Sequence, residues 1–129
     1  PLINPRELFL EDLSVKITKW IRQGDQIILG MDINDDVRYG ITHKLLTILG
    51  LREVILDHHP DLSPPTTMNC NNSRQPIDGI WATAGIHIQQ GGYLEYGGAC
   101  PSDHQALWID VHFKDAFGDS TLRTICPSA

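Results

Sequence analysis

The sequence predicts a mixed fold of the α/β or α+β class, and two features carry this prediction: the length of the chain and the order of its elements. A chain of 129 residues is long enough for one hydrophobic core and too short for two, so we expect a single domain or part of one. A segment with helical periodicity comes first, followed by a short apolar run, a second helical segment and several strand-like runs. This order favours helices that pack against a sheet.

The first predicted element is a helix that ends at Gly24. Asn4 can cap this helix, and Pro5 suits its first turn. Its apolar residues recur at helical spacing and are predicted to form one face packed in the core: Leu10, Leu13, Ile17, Trp20 and Ile21. Residues 26–29 then form an apolar run, which predicts a strand buried on both faces.

A second helix is predicted over residues 39–49, closed by Gly50. The residues expected to face inward are Ile41, Leu45 and either Ile48 or Leu49. Residues 53–56 predict another short strand. Residues 57–76 are rich in Pro, Asn, Ser and Thr and follow neither period, and a long irregular segment of this kind in a compact domain is often functional.

The remaining chain is predicted to be mostly strand, at residues 77–83, 86–90 and 93–96. Gly91 and Gly92 separate the last two runs, which predicts a two-residue hairpin turn. Residues 106–113 alternate in part and predict a further strand. A weakly structured tail is expected over residues 114–129.

Composition excludes several classes of protein. The net charge of −6 argues against a protein that holds nucleic acid by bulk charge alone. The cysteines are odd in number and form no CxxC pair, so neither a disulfide framework nor a Cys-rich zinc site is expected: Cys70, Cys100 and Cys126. No run approaches the ~20 apolar residues that span a bilayer, so we expect no membrane partner.

The expected location is intracellular, either cytoplasmic or nuclear, because no leader of basic and then apolar residues opens the sequence. The chain begins at Pro1 rather than at Met, as expected for a fragment of a longer protein.

The end of the first predicted strand carries polar residues that could form a site. Asp32 and Asn34 lie two positions apart, and in an extended backbone such residues point to the same side. Ligands in α/β proteins tend to bind at the carboxyl ends of strands. The alternative is a turn rich in Asp and Asn that caps the next helix.

Two further positions offer chemistry. Ser102-Asp103-His104 supplies a hard oxygen ligand beside an imidazole that can contact phosphate or move a proton. Asp78 lies inside an apolar strand, and because a buried unpaired carboxylate is costly, it should have a His or Arg partner. A purely structural pairing, for instance with Arg74, is the alternative.

In chain order these motifs resemble the endonuclease/exonuclease/phosphatase superfamily, which consists of Mg²⁺-dependent phosphodiesterases and phosphomonoesterases. The resemblance covers residues 26–113. It rests on Asp32-Ile33-Asn34, a loop threonine (Thr66 or Thr67), Ile77-Asp78 and Ser102-Asp103-His104. It implies the C-terminal half of a four-layer α/β sandwich with mixed, largely antiparallel sheets. It also implies Mg²⁺ or Mn²⁺ as cofactor. The run from Pro101 to Trp108 looks like the retroelement-type endonucleases, which implies a nucleic-acid substrate.

The resemblance assigns a role to each matching residue. Asp32 would orient or deprotonate the attacking water, and Asn34 would hold that water or a phosphate oxygen. Asp103 would bind or lie beside the metal. His104 would contact the scissile phosphate, with Asp78 hydrogen-bonded behind it to fix its orientation. These are the functions that phosphoryl transfer requires of an active site.

The sequence also departs from the family pattern. Met31 separates Gly30 from Asp32, and Gly79 replaces the aromatic residue that often follows the Ile-Asp pair. The metal-binding Glu and the early Asn of the family lie in an N-terminal half that residues 1–28 do not supply. We therefore expect an incomplete catalytic set, and as partners either that missing half or a second copy packed on an exposed face.

Three alternatives remain open. Asp57-His58-His59 after an apolar run resembles the DHH phosphoesterases, which bind Mn²⁺, although no Asp-x-Asp motif precedes it. A non-catalytic remnant, acting only as a folded interaction module, would expose an apolar face. Aromatic residues could line a substrate groove, but strand packing is favoured at their positions: Trp81, Tyr93, Tyr96 and Trp108.

Overall fold

The computed structural model describes residues 2–59, 75–98 and 101–119 and contains helices and antiparallel sheets, so the chain is mixed α+β. The helices are α1 (Pro5–Arg22), α2 (Ile41–Ile48), α3 (Ile55–His58) and α4 (Phe113–Phe117). The strands are β1 (Ile28–Asp32), β2 (Leu51–Glu53), β3 (Asp78–Thr83), β4 (Ile88–Tyr93) and β5 (Leu107–Val111). None of the helices in these ranges is long and apolar enough to cross a membrane.

The strands form two sheets. The first has the order β1-β3-β2 and the second pairs β4 with β5, and each pairing is antiparallel. Because side chains alternate along a strand, the two faces of the first sheet bury different residues. One face carries Trp81 and packs under the helices. The opposite face carries Ala82 and packs against the second sheet.

The larger core lies between the first sheet and the helices. Its buried residues come from α1 and α2, from β2 and β3, from the residue before β1 and from the loop after β1: Ile17, Ile27, Ile33, Val37, Leu46, Leu51 and Trp81. The smaller core joins the two sheets through Ala82, Ile86 and Ile88, with Ile80 and Ile109 packed against them. The second sheet is therefore fixed to β3, the strand that begins at Asp78.

The predicted start of α1 is confirmed, and the extent of its buried face is not. The Asn4 side chain accepts a hydrogen bond from the Arg6 N–H at 3.1 Å, and Pro5 is the first helical residue. Leu10 and Ile17 are buried, whereas Trp20 and Ile21 are 40% and 38% exposed. The prediction that Trp20 lies in the core is wrong, because Trp20 lines a surface pocket together with Asp25 and Lys114.

In α2 the inward face is rotated from the predicted one. Thr42 and Leu46 are buried, while Ile41 and Ile48 are 68% and 82% exposed. Leu49 packs at the margin of the larger core. A one-position rotation of this kind is possible because α2 has apolar residues on more than one side.

The expectation that the first strand is buried on both faces is also wrong. β1 is an edge strand, and alternate residues, including Ile28, are exposed. Its other face packs on the larger core through Leu29 and Met31. An apolar run alone does not distinguish a central strand from an edge strand with one covered face.

The hairpin predicted at Gly91 and Gly92 is wrong, since both residues lie inside β4. A Cβ atom on Gly91 would lie 3.3 Å from Cδ1 of Ile55 in α3, and one on Gly92 would lie 3.1 Å from Nε2 of His59. Glycine is present here because α3 approaches the strand closely, which is a known use of glycine in strands.

Some predictions fall on residues outside the described ranges. These residues are Thr66, Thr67, Arg74, Cys70, Cys100 and Cys126, together with the tail from residue 120 onward. The first part of the predicted tail differs from expectation, because Phe113–Phe117 forms α4.

A buried carboxylate organises the region that follows β2. The predicted strand at residues 53–56 is wrong because Glu53 ends β2 and its carboxylate accepts the free N–H groups of the first turn of α3. Oε2 accepts from Leu56 at 2.6 Å, and Oε1 accepts from Ile55 at 3.2 Å and from Ile80 at 3.1 Å. Glu53 therefore ties α3 to β3.

We predict that Glu53→Gln lowers the free energy of unfolding by about 1–3 kcal/mol, because the amide has one accepting oxygen and leaves a buried N–H unpaired. Urea unfolding followed by tryptophan fluorescence measures this change. Glu95→Gln, at an exposed carboxylate, is the matched control. Equal stability of the two variants would contradict this role of Glu53.

Candidate functional site

The site begins with two aspartates that face each other across the edge of the first sheet. Asp32, the last residue of β1, is the register partner of Asp78, the first residue of β3. The neighbouring pair exchanges a backbone hydrogen bond, from the Ile33 N–H to the Ile77 carbonyl at 2.9 Å. Asp32 and Asp78 therefore form a non-hydrogen-bonded pair, the type in which side chains are closest. Two like charges in this arrangement destabilise the sheet unless a positive group lies between them.

That group is the imidazole of His104. The Nδ1 atom lies 2.9 Å from Oδ2 of Asp78, and the Nε2 atom lies 3.9 Å from Oδ2 of Asp32. Because a carboxylate only accepts hydrogen bonds, Nδ1 carries a proton that it donates to Asp78. The hydrogen bond that the sequence led us to expect between Asp78 and a histidine is present. It leaves Nε2 on the side of Asp32.

Two local features hold His104 in place. Its backbone N–H donates to the Ser102 hydroxyl at 3.0 Å, and the chain then pairs with the second sheet, where the Leu94 N–H donates to the Ala106 carbonyl at 2.8 Å. The sequence alone did not indicate this role of Ser102. An ST turn of this kind is a recognisable pattern that positions the following residue.

Exposure differs across the site. The Asp78 side chain is 14% exposed, that of His104 is 36% exposed and that of Asp32 is 47% exposed. The hydrogen bond to Asp78 raises the pKa of His104 above its usual value, and the charges of Asp78, Asp32 and Asp103 act in the same direction, while burial opposes them. The inner carboxylate thus fixes the imidazole, and the outer one faces solvent.

Asn34 does not continue the strand, so the expectation that Asp32 and Asn34 share one face of an extended backbone is wrong. Asn34 has a φ of +47°, in the left-handed region, and its N–H donates to Oδ1 of Asp32 at 2.8 Å. This is the turn rich in Asp and Asn that the sequence left as the alternative. It holds Asn34 beside Asp32 through the backbone.

Arg6 is a contributor that the sequence analysis missed. Its guanidinium donates to the Ile33 carbonyl at 3.1 Å and lies 3.3 Å from Oδ2 of Asp35. The start of α1 is thereby tied to the turn that follows Asp32. A lone arginine in the first turn of a helix gives no sequence pattern that would have indicated this contact.

Within the described ranges, Asp32, Asp78 and His104 form a group of side chains that could share a metal ion. One ligand atom from each lies within 4.8 Å of the other two. Asp103, the residue predicted to bind the metal, is exposed and is not a member of that group. It acts on His104 through its charge.

The alternative cluster Asp57-His58-His59 does not converge. It belongs to α3 and its end rather than to a strand. Asp57 lies 3.6 Å from Nε of Arg52, and Nε2 of His59 donates to the Gly91 carbonyl at 2.8 Å. Nothing in this geometry favours a DHH-type centre.

No protein-family model matches the sequence, and no curated protein matches it. The chemical capacity of the site therefore follows from its own geometry. A fixed imidazole presents Nε2 beside an exposed carboxylate, and a set of one nitrogen and two carboxylates can bind a divalent cation. Such a site can donate a hydrogen bond to an anion and accept a proton from water.

We predict that Asp78→Asn lowers the pKa of His104, because the carboxylate hydrogen bond raises it. A proton NMR titration with EDTA present measures this pKa, and Asp12→Asn on the exposed face of α1 is the control. A raised histidine pKa stabilises the folded state below the ordinary value near 6.5, and this contribution is lost as pH rises through the folded pKa. An unchanged His104 titration in Asp78→Asn would contradict the assignment.

Proposed function

We propose that this chain carries the catalytic face of a metal-dependent phosphodiester hydrolase that acts on nucleic acid. The observation that carries the proposal is the 2.9 Å hydrogen bond from His104 to Asp78, which leaves Nε2 beside Asp32. Three of the motifs that resemble the endonuclease/exonuclease/phosphatase superfamily each contribute one residue to this group, namely Asp32, Asp78 and His104.

In this proposal His104 acts as a hydrogen-bond donor to the phosphate. With Nδ1 bound to Asp78, a protonated ring offers Nε2–H to a non-bridging oxygen, on which charge grows in the transition state. The raised pKa of His104 favours this protonated form. Asp78 positions the ring and does not touch the substrate.

Asp32 and Asn34 are proposed to act on the attacking water. The Asp32 carboxylate is half exposed, with one oxygen engaged by the Asn34 N–H at 2.8 Å. The other oxygen, Oδ2, lies on the His104 side and can orient a water or accept its proton. The hydrogen bond from the Asn34 N–H to Oδ1 keeps Asn34 beside the Asp32 carboxylate.

The donor set fits a divalent cation. Asp32 and Asp78 offer carboxylate oxygens within the 4.8 Å group, and Asp103 adds negative charge nearby. When bound, Mg²⁺ or Mn²⁺ would supply positive charge at the phosphoryl oxygens. Carboxylate oxygens suit either ion, and His104 keeps its two N–H groups for Asp78 and the phosphate.

A second candidate function is a non-catalytic interaction module, and one specific observation favours it. Helix α1 exposes apolar side chains opposite its buried face, among them Leu8 at 47%, Phe9 at 52% and Val15 at 64%. An apolar face of this kind can pack against another segment or a second copy. This candidate predicts a folded chain without hydrolytic activity.

We predict that cleavage of plasmid DNA, of a duplex with an abasic site or of a simple phosphodiester requires Mg²⁺ or Mn²⁺. Asp32→Asn and His104→Ala should each lower kcat/KM by at least about 100-fold, because they remove the water-activating group and the phosphate donor. EDTA should abolish activity.

The controls are Asp12→Asn and His87→Ala, which change exposed residues outside the site and should stay within about twofold of the parent. Equal activity in parent, Asp32→Asn and His104→Ala would overturn the hydrolase proposal. Absence of cleavage with either metal would favour the interaction module.

A further inference from the structure

A cleft of about 500 Å³ lies along β4, between the end of α3 and β5, and the proposed reaction does not use it. Its volume falls in the usual range for small-molecule sites. The side chains that line it are His58, His59, Gln89, Gln90, Tyr93 and Trp108. Trp81, by contrast, is fully buried in the larger core. Tyr93 and Trp108 are partly exposed and face the cleft.

Glycine allows the rings of His59 and Trp108 to pack directly against the floor of this cleft. A Cβ atom on Gly92 would lie 3.1 Å from Nε2 of His59 and 3.2 Å from Nε1 of Trp108. Two ring nitrogens thus converge over a position that has no side chain. Nε2 of His59 is already bonded to the Gly91 carbonyl, which holds that ring at the edge of the strand.

The cleft presents hydrogen-bonding groups that have no hydrogen-bond partner in the part of the chain that the structure describes. Within the described ranges, the Trp108 indole N–H makes no hydrogen bond, and neither do the side-chain amides of Gln89 and Gln90. A β-bulge between Ile88 and Gln90 shifts the register, so the two glutamines are adjacent and both exposed. Bulges often redirect side chains in this way beside functional sites.

The lining also carries no formal charge from acidic, lysine or arginine side chains. This is unusual in a chain with 16 Asp and Glu residues and a net charge of −6. Burial raises the pKa of Tyr93 to about 12, so its phenol remains neutral at physiological pH. Asp110, the register partner of Gln90 on β5, lies beside the lining residues, so the cleft favours the uncharged parts of an anionic polymer, which meet its rings and amides.

A short segment joins the cleft to His104, because Trp108 lies in β5 and His104 lies in the residues that lead into β5. Trp108 lies four residues after His104, so their backbones are at most about 14 Å apart in an extended chain. At its Tyr93 end, β4 pairs with Leu107, which follows His104 closely in the chain. A ligand bound over Trp108 is thus within a few nucleotides of the imidazole.

We propose that this cleft binds a nucleobase of a strand whose phosphodiester lies at His104, an inference that rests on the proposed function. Bases are recognised by stacking on aromatic rings and by hydrogen bonds to their edges, which Trp108 and the two glutamine amides supply. Because the lining has no lysine or arginine, the cleft contributes base contacts and leaves the phosphates to the site at His104.

The test is a titration of the full chain with adenosine, without metal, followed by ¹H–¹⁵N NMR. Saturable shifts are expected at the Trp108 indole and at the side-chain amides of Gln89 and Gln90. The Trp20 indole, which is 40% exposed on α1, should not shift. Methyl glucoside is the comparison ligand and should leave Trp108 unchanged.

A charge variant tests the same cleft with a trinucleotide of deoxyadenosine. Gln90→Glu should weaken binding at least about threefold, since a carboxylate then faces the phosphates. Gln23→Glu makes the same change at an exposed residue outside the cleft and should bind as the parent does.

Several results would overturn the proposal: no shift at Trp108, shifts centred on Trp20, preference for methyl glucoside, or equal weakening by Gln23→Glu. Each leaves the hydrolase proposal standing, because these measurements use no metal and no cleavage. Loss of activity in Asp32→Asn, in turn, leaves adenosine binding as predicted.

Discussion

The Asp32–Asp78 pair is the constraint on which the arrangement depends. Two carboxylates lie directly opposite each other at the end of an antiparallel pair, in the geometry that brings side chains closest. Their repulsion is relieved by one imidazole, held 2.9 Å from the inner carboxylate and 3.9 Å from the outer one. This contact also joins β3 of the first sheet to the segment that leads into β5 of the second. The attraction between His104 and the two aspartates therefore links the two sheets and also forms the site.

The rest of the fold keeps these groups in register. The helices α1 and α2 cover one face of the first sheet, and Arg6 ties the start of α1 to the turn after Asp32. On the other side, Glu53 holds α3 against β3, and α3 packs so closely on β4 that glycine is needed there. The cleft that we assign to a nucleobase is a consequence of this close approach, because Gly92 lets the rings of His59 and Trp108 come together over β4.

Local chemistry could be predicted from the sequence, and tertiary placement could not. The cap at Asn4 and the need of Asp78 for a cationic or hydrogen-bonding partner follow from short-range rules, and both hold. Gly91 and Gly92 were misassigned because a turn and a close approach of α3 select the same residue. Trp20 was misassigned because periodicity identifies an apolar face without showing which of its residues a neighbouring element covers. Asn34 was misassigned because β1 ends at Asp32, two residues before Asn34, so the backbone at Asn34 is not extended.

We propose that Asp32, Asp78 and His104 form one site that favours a divalent cation. Paramagnetic broadening of ¹H–¹⁵N NMR signals by substoichiometric Mn²⁺ tests this proposal, because broadening depends steeply on distance from the ion. The amides of Asp32, Asp78 and His104 should broaden first, and Asp32→Asn should remove the effect. Broadening centred on the exposed acidic residues of α1, or unaffected by Asp32→Asn, would contradict it.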